Sequence, residues 1–225
     1  METITIRPGS KRNGITLTLA GGLGIVLGLV LFIGWPWMFA PGIACFALGA
    51  VSLVLGIAKQ LEPHVSLEFS AEGLRFFHRR GSLFVAWDNI QRLDQPRVTQ
   101  GMEQLTLPYI GLKLKRINPL LDAISPRLAT GLLSEQRPLL MTAAAQDEEL
   151  QTLEAALSAE FEPLTVNNER YRGVLAMFGR RCLTLDKYLG YHLYIPVDAL
   201  DQPPESFVHK LRQLWQQRVS ATDMA

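Results

Sequence analysis

Between Ile15 and Ala58 the chain carries no Asp, Glu, Lys, Arg or His. A helix needs about 20 apolar residues to cross the hydrocarbon core of a bilayer, so this stretch predicts two crossings and little else. The first arm covers about residues 14–34 and the second about 37–58, with Trp35-Pro36-Trp37 dividing them. Pro36 ends a helix, and Trp35 and Trp37 carry the amphipathic rings that settle at headgroup level, so the two tryptophans are the expected interface anchors. Gly21, Gly24 and Gly28 fall along one side of the first arm, and Gly42, Gly49 and Gly56 recur at every seventh position of the second. Rows of small residues let helices approach closely in lipid, and here they are expected to pack the two arms on each other rather than to build a dimer. A hairpin buried in a water-soluble core is the rival reading, disfavoured by length and by the missing charge.

Beyond Lys59 the period changes. Val65, Leu67 and Phe69 alternate with polar residues, Glu72-Gly73 turns the chain, Leu74, Phe76 and His78 alternate again, and Arg79-Arg80-Gly81 leads into a run from Ser82 to Trp87. Tyr109 to Lys115 alternates too, giving an antiparallel meander with a half-exposed strand. Asn118-Pro119 starts a helix with Leu120, Leu121, Ile124 and Leu128 on one face, residues 131–137 read as an exposed turn, and residues 138–144 read as a last strand. Residues 147–161 place Leu150, Leu153, Leu157 and Phe161 on one face of an amphipathic helix. Three strands are expected at 174–178, 182–185 and 188–195, with turns at Gly179-Arg180-Arg181 and Asp186-Lys187, before Pro203-Pro204 opens a final helix bearing Phe207, Val208, Leu211, Leu214 and Trp215. Tyr194–Pro203 loosely echoes Val85–Pro96, which suggests a degenerate second copy of the meander.

Leu67-Glu68-Phe69-Ser70-Ala71-Glu72-Gly73-Leu74, Arg79-Arg80-Gly81 and Val85-Ala86-Trp87-Asp88-Asn89-Ile90 together resemble the opening of bacterial pleckstrin-homology-like (PH-like) domains. The layout of the chain is also similar to an uncharacterised bacterial family of two-span membrane proteins of unknown function. The resemblance implies a fold and no activity: an α+β soluble domain built as a PH-like, antiparallel, partly open β-barrel capped by a helix. The expected organisation is an N-terminal segment 1–13, a transmembrane hairpin 14–58, a PH-like β-rich domain 62–161, an appended strand-strand-strand-helix segment 170–219 with its amphipathic helix packed on the meander, and a disordered tail 220–225.

Charge gives the orientation. Arg7, Lys11 and Arg12 precede the first arm, Lys59 follows the second, and the connecting turn is uncharged, so the positive-inside rule puts both termini in the cytoplasm and the chain in a bacterial inner membrane. A cleaved signal peptide would need a shorter apolar run and a small-x-small site, and a lipoprotein at Cys45 would need a polar tether after it. Formal net charge is +1, which supplies no field for nucleic acid.

Candidate chemistry is sparse. Cys45 and Cys182 lie in different parts of the chain, and His64, His78, His192 and His209 show no ligand spacing, so no disulfide, metal or cofactor is expected. No GxSxG, HExxH, P-loop or GxGxxG marks an enzyme, and no catalytic residue is assigned. Three basic clusters are the better candidates: Arg79 and Arg80, with His78; Lys113, Lys115 and Arg116; and Arg180 and Arg181. Near an anionic leaflet each such cation adds about 1 kcal/mol of attraction. The expected function is therefore a non-catalytic, inner-membrane-anchored interaction module that presents its cytoplasmic domain to the membrane surface or to an unidentified membrane or cytoplasmic protein. The alternatives are an accessory subunit that binds through its hairpin and a membrane-bound enzyme.

Overall fold

The computed structural model describes residues 3–8, 13–61, 63–100, 103–144 and 162–223. It divides into two compact units, Pro8–His64 on one hand and Met1–Arg7 with Val65–Ala225 on the other.

In the smaller unit α1 (Gly14–Gly34) and α2 (Phe39–Gln60) are joined by a 3-10 turn at Pro36–Met38. Both helices are long and apolar enough to cross a membrane, and only 11% and 17% of their most apolar windows are buried. A hairpin in a water-soluble core would hide those side chains, so that reading fails; Leu23, Ile33, Leu48 and Val54 all face outward. What each helix buries is glycine: Gly14, Gly21 and Gly28 on α1, and Gly42, Gly49 and Gly56 on α2. A Cβ at Gly49 would stand 2.6 Å from the Ile25 nitrogen and one at Gly28 would stand 2.6 Å from the Phe46 nitrogen, so the backbones touch where the side chains are missing. Gly24 lies on the same seam, where a Cβ would stand 3.0 Å from the Gly49 Cα. Thr18 Oγ1 donates to the Gly14 carbonyl at 2.9 Å and accepts from Gln60 Nε2 at 2.6 Å.

The larger unit begins before the hairpin. β1 (Ile4–Ile6), β2 (Leu67–Phe69), β3 (Gly73–His78) and β4 (Gly81–Ala86) form one antiparallel sheet in that order. Ile4 faces Phe69 and Ile6 faces Leu67, so the hairpin is an insertion in the first loop of a folded domain. Three residues, Ile-Thr-Ile, are too few for alternation to announce a strand, so the sequence reading of segment 1–13 does not include β1. Ser66 fastens the junction: its N–H donates to the Ile6 carbonyl at 2.9 Å, and its hydroxyl lies against the carbonyls of Ile6 and Ala199. Leu67, Phe69, Leu74, Phe76, Leu83 and Val85 point into the core, as period-two alternation requires.

β4 leaves through a 3-10 turn at Trp87–Asn89 into β5 (Ile90–Asp94). β5 pairs with β8 (Tyr109–Leu114), and β8 pairs in turn with β11 (Leu193–Pro196). β6 (Arg97–Gln100) and β7 (Glu103–Thr106) make a separate two-stranded ribbon, as do β9 (Leu164–Val166) and β10 (Glu169–Tyr171). Among the described residues these sheets close no barrel.

The helical content exceeds the expectation. α3 (Asn118–Ala123) starts where Asn118-Pro119 predicts, but α4 (Pro126–Glu135) and α5 (Arg137–Ala144) replace the expected turn at 131–137 and strand at 138–144. Ser125 caps α4 by accepting from the Leu128 N–H at 3.2 Å, and Gly131 is a packing glycine inside it, where a Cβ would meet Arg80 Cδ at 2.7 Å. α6 (Val174–Leu189) replaces the three strands expected at 174–178, 182–185 and 188–195, of which only β11 survives. Gly179 therefore breaks nothing; it makes room for Leu121 and Leu164. There is no second meander in 170–219; the echo of Val85–Pro96 reduces to a strand followed by a 3-10 turn, here Val197–Ala199 after β11. α7 (Pro204–Asp223) buries Phe207, Val208 and Leu211 and continues through positions 220–223, which carry no Gly or Pro to end it and which the sequence assigns to a tail. The amphipathic helix expected at 147–161 lies outside the described residues.

Candidate functional site

The basic residues singled out in the sequence do not form one site. Arg79 and Arg80 occupy the turn between β3 and β4. Arg79 Nη2 donates to Glu135 Oε1 at 3.2 Å, and His78 Nε2 lies 3.1 Å from the same carboxylate. The hydrogen bond from His78 and then the positive charges of His78 and Arg79 hold the Glu135 carboxyl below its ordinary range, against the opposing pull of partial burial. Arg80 lies along α4 at Gly131.

Of the second cluster, Lys113 turns inward from β8 and its Nζ lies 3.1 Å from Asp186 Oδ1. Lys115 and Arg116 are exposed, and Asn89 clasps the backbone of Arg116 on both sides, donating to its carbonyl at 2.9 Å and accepting from its N–H at 3.0 Å. The residues of the third cluster part company. Arg181 is 6% exposed and its Nη1 donates to the Leu133 carbonyl at 3.4 Å, while Arg180 Nη2 donates to the Pro163 carbonyl at 3.0 Å. A pair of adjacent arginines on a helix points in two directions about 100° apart, which a strand-and-turn reading of Gly179-Arg180-Arg181 cannot show.

Two polar groupings stand apart from the basic clusters. In the first, Asp186 on α6 sits between Lys113 and His192, with His192 Nε2 3.6 Å from Asp186 Oδ2. His192 Nδ1 accepts from the Leu114 N–H at 3.1 Å, which leaves the ring proton on Nε2, facing the carboxylate. Burial pushes the imidazole below its ordinary value and Lys113 adds to this, while Asp186 pulls the other way. Cys182, one helical turn before Asp186, is fully buried, and burial pushes its thiol up to about 12, which disfavours the thiolate.

In the second, Asn118 Nδ2 donates to the Val166 carbonyl at 3.0 Å and to Glu169 Oε2 at 2.6 Å, and its Oδ1 accepts from Asn167 at 2.7 Å. Tyr171 reaches Glu169 Oε2 at 2.7 Å and Asp122 Oδ1 at 3.0 Å. Burial first, then these two carboxylates, raise the phenol well above its ordinary range. Asn167 and Asn168 adopt φ of 49° and 66°, the left-handed pair of a tight hairpin turn, so the ribbon β9–β10 is pinned to α3 by side chains that the turn itself presents. Both groupings join elements distant in sequence.

A depression of about 270 Å³ on the outer face of the first sheet is lined by Glu68, Ser70, Ala71, Glu72, Arg75 and Phe84, and the Arg75 guanidinium lies 5.7 Å from the centre of the Phe84 ring. Among the described residues no three His, Cys, Asp or Glu side chains stand together in a way that could hold a metal ion.

Residues 67–217 match the family described as protein of unknown function (DUF2982), and the chain belongs to that family. The matched span runs from β2 into α7 and leaves out β1 and the hairpin. No curated protein and no solved structure matches the chain.

Proposed function

We propose that this protein is a membrane-anchored, non-catalytic interaction module: the hairpin spans the bacterial inner membrane, both termini lie in the cytoplasm, and the α+β domain is held out for a protein partner. The observation that carries the reading is the pairing of β1 with β2. Because chain on both sides of the hairpin belongs to one sheet, the two helix ends return to the same side, as an even number of crossings demands. Arg7, Lys11, Arg12 and Lys59 at those ends favour the cytoplasmic side.

A PH-like assignment of the domain is part of the same reading. In its support, a four-stranded meander is followed through Trp87–Asn89 by a three-stranded sheet, β5-β8-β11, and then by a C-terminal helix. On that plan the hairpin, the β6–β7 ribbon and the run from α3 to α6 are insertions in loops. α7 holds the helix position, with Trp215 Nε1 donating to the Trp87 carbonyl at 3.2 Å and Phe207 6.2 Å from Phe69, ring to ring.

The alternative, binding through the hairpin, has less in its favour. The glycine rows that could receive another helix are already filled by the partner arm, as the 2.6 Å approaches at Gly28 and Gly49 require.

The test is a C-terminal reporter active only in the cytoplasm, combined with in-cell photo-crosslinking from the domain surface of the full chain. Reporter activity and a discrete crosslinked protein are expected. The capture should persist when residues 13–61 are exchanged for an unrelated two-span hairpin, an exchange that leaves β1 in place. An inactive reporter would refute the orientation, and capture lost with the exchange would favour the hairpin as the binding element.

A further inference from the structure

We infer that one end of the four-stranded sheet is a docking surface for anionic phospholipid headgroups, an inference that rests on reading α1 and α2 as membrane-spanning. The sheet register defines that end. Ile6, Leu67, Phe76 and Leu83 lie on one line across the four strands. Continuing toward the hairpin, β1 leads into Arg7 and β2 is entered from Ser66, while β3 and β4 meet at Arg79-Arg80. The loop between β3 and β4 is therefore at the end of the sheet from which both hairpin linkers depart. Those linkers, residues 7–13 and 61–66, reach at most about 20–25 Å when fully extended.

The two ends differ in charge. At the linker end stand Arg7, Arg79, Arg80 and Arg127; Arg127 is exposed at the start of α4, beside Leu128 and Ser125, the residues that a Cβ on Gly81 would approach. Glu135 offsets one of these charges through His78 and Arg79, and the Arg79 side chain remains 58% exposed. At the opposite end the turn after β2 presents Glu72, and Asp88 follows Trp87, whose N–H donates to the Glu72 carbonyl at 3.1 Å; the exposed Lys115 and Arg116, bonded through their backbone to Asn89, stand beside Asp88 and offset these two charges. Both carboxylates are exposed. A surface balanced in charge at one end and positive at the other is turned by an anionic leaflet so that the arginines approach it, within a screening length of about 8–10 Å. The ligand is the phosphate-bearing surface itself, not a single headgroup held in a pocket.

The experiment uses the full chain in nanodiscs, with a fluorophore at residue 82 or at residue 71 and a quencher on the lipid headgroup. Quenching at residue 82 is expected to rise when phosphatidylglycerol replaces part of the phosphatidylcholine and to fall back in high salt. Each of Arg79→Gln, Arg80→Gln and Arg127→Gln should lower the ratio of docked to undocked domain roughly fivefold, with near-UV circular dichroism unchanged. Equal quenching in neutral and anionic discs, or stronger quenching at residue 71, would overturn the inference while leaving the anchor intact. A response to one phospholipid class among several of equal charge would overturn it in favour of a stereospecific site. Extraction of the protein from native membranes by carbonate would instead defeat the membrane reading on which it rests.

Discussion

Ile6 and Leu67 face each other across the β1–β2 ladder with the whole apolar hairpin contained in the chain between them. Ile6 is 1% exposed and Leu67 is wholly buried, so the strand that precedes the hairpin is part of the domain core. Ile6→Ala should cost about 2–5 kcal/mol of domain stability, the usual range for emptying a buried branched site. Denaturant unfolding followed by Trp87 and Trp215 fluorescence measures it. A cost below about 0.5 kcal/mol would show that β1 is dispensable.

The glycine seam gives a second prediction with its own control. Gly49→Leu and Gly28→Leu push side chains into the opposite backbone and should separate the two helices, whereas Gly22→Leu enters open space and should leave them together. Protease protection of the hairpin in detergent, or a distance measurement across it, tells these apart. Equal behaviour of Gly22→Leu and Gly49→Leu would dismiss the seam.

The hairpin and the meander were legible because each rests on one strong local signal: absence of charge over a span too long for a globular core, and clean alternation in Leu67–Phe69, Leu74–His78 and Tyr109–Leu114. α6 was not. Gly179 beside two arginines imitates a turn, yet Ala176, Cys182, Leu185 and Leu189 are buried at helical spacing, and the real punctuation is Gly173 and Gly190, with φ of 58° and 82°. The polar groupings around Asp186 and Asn118 were illegible for another reason. Their members come from β8, α6 and the bend before β11, or from α3 and the β9–β10 ribbon, and only tertiary folding brings them together. Of the basic clusters, sequence could count the charges and could not tell Arg181, which is buried, from Arg79, which is not.

That difference is testable. Arg181→Gln removes a buried guanidinium that donates to the Leu133 carbonyl and should cost about 1–3 kcal/mol, while Arg79→Gln, whose partner Glu135 is itself partly exposed, should cost less than about 1 kcal/mol. Melting of the two variants side by side decides it.

His192 sets a pH dependence whose sign is fixed by its environment. Its folded pKa lies below the ordinary value of about 6.5, so as pH falls through about 6.5 the unfolded chain takes up a proton that the folded chain refuses. This contribution to stability is complete above about pH 6.5 and is lost as pH falls from there toward the folded value. The urea midpoint should be lower at pH 5 than at pH 7.5, and His192→Gln should shrink that difference.

Tyr171→Phe should cost about 1 kcal/mol and release the Glu169 carboxyl upward toward its ordinary value, because the Tyr171 and Asn118 hydrogen bonds are what hold it down. Carboxylate chemical shifts recorded against pH read this directly. An unmoved Glu169 would assign its shift to Asn118 and the nearby Arg116 charge.

The insertion of the hairpin between β1 and β2 also sets an order of events in biosynthesis. β1 is made first and has nothing to pair with until the two apolar helices have left the ribosome and β2 has followed. On the reading of those helices as spanning segments, a chain whose hairpin is misrouted would leave its first strand on the wrong side of the bilayer and its sheet open at the β2 edge. The closed sheet is then a certificate that insertion went correctly, and an unclosed one displays the unpaired strand edge that quality-control proteases and chaperones engage.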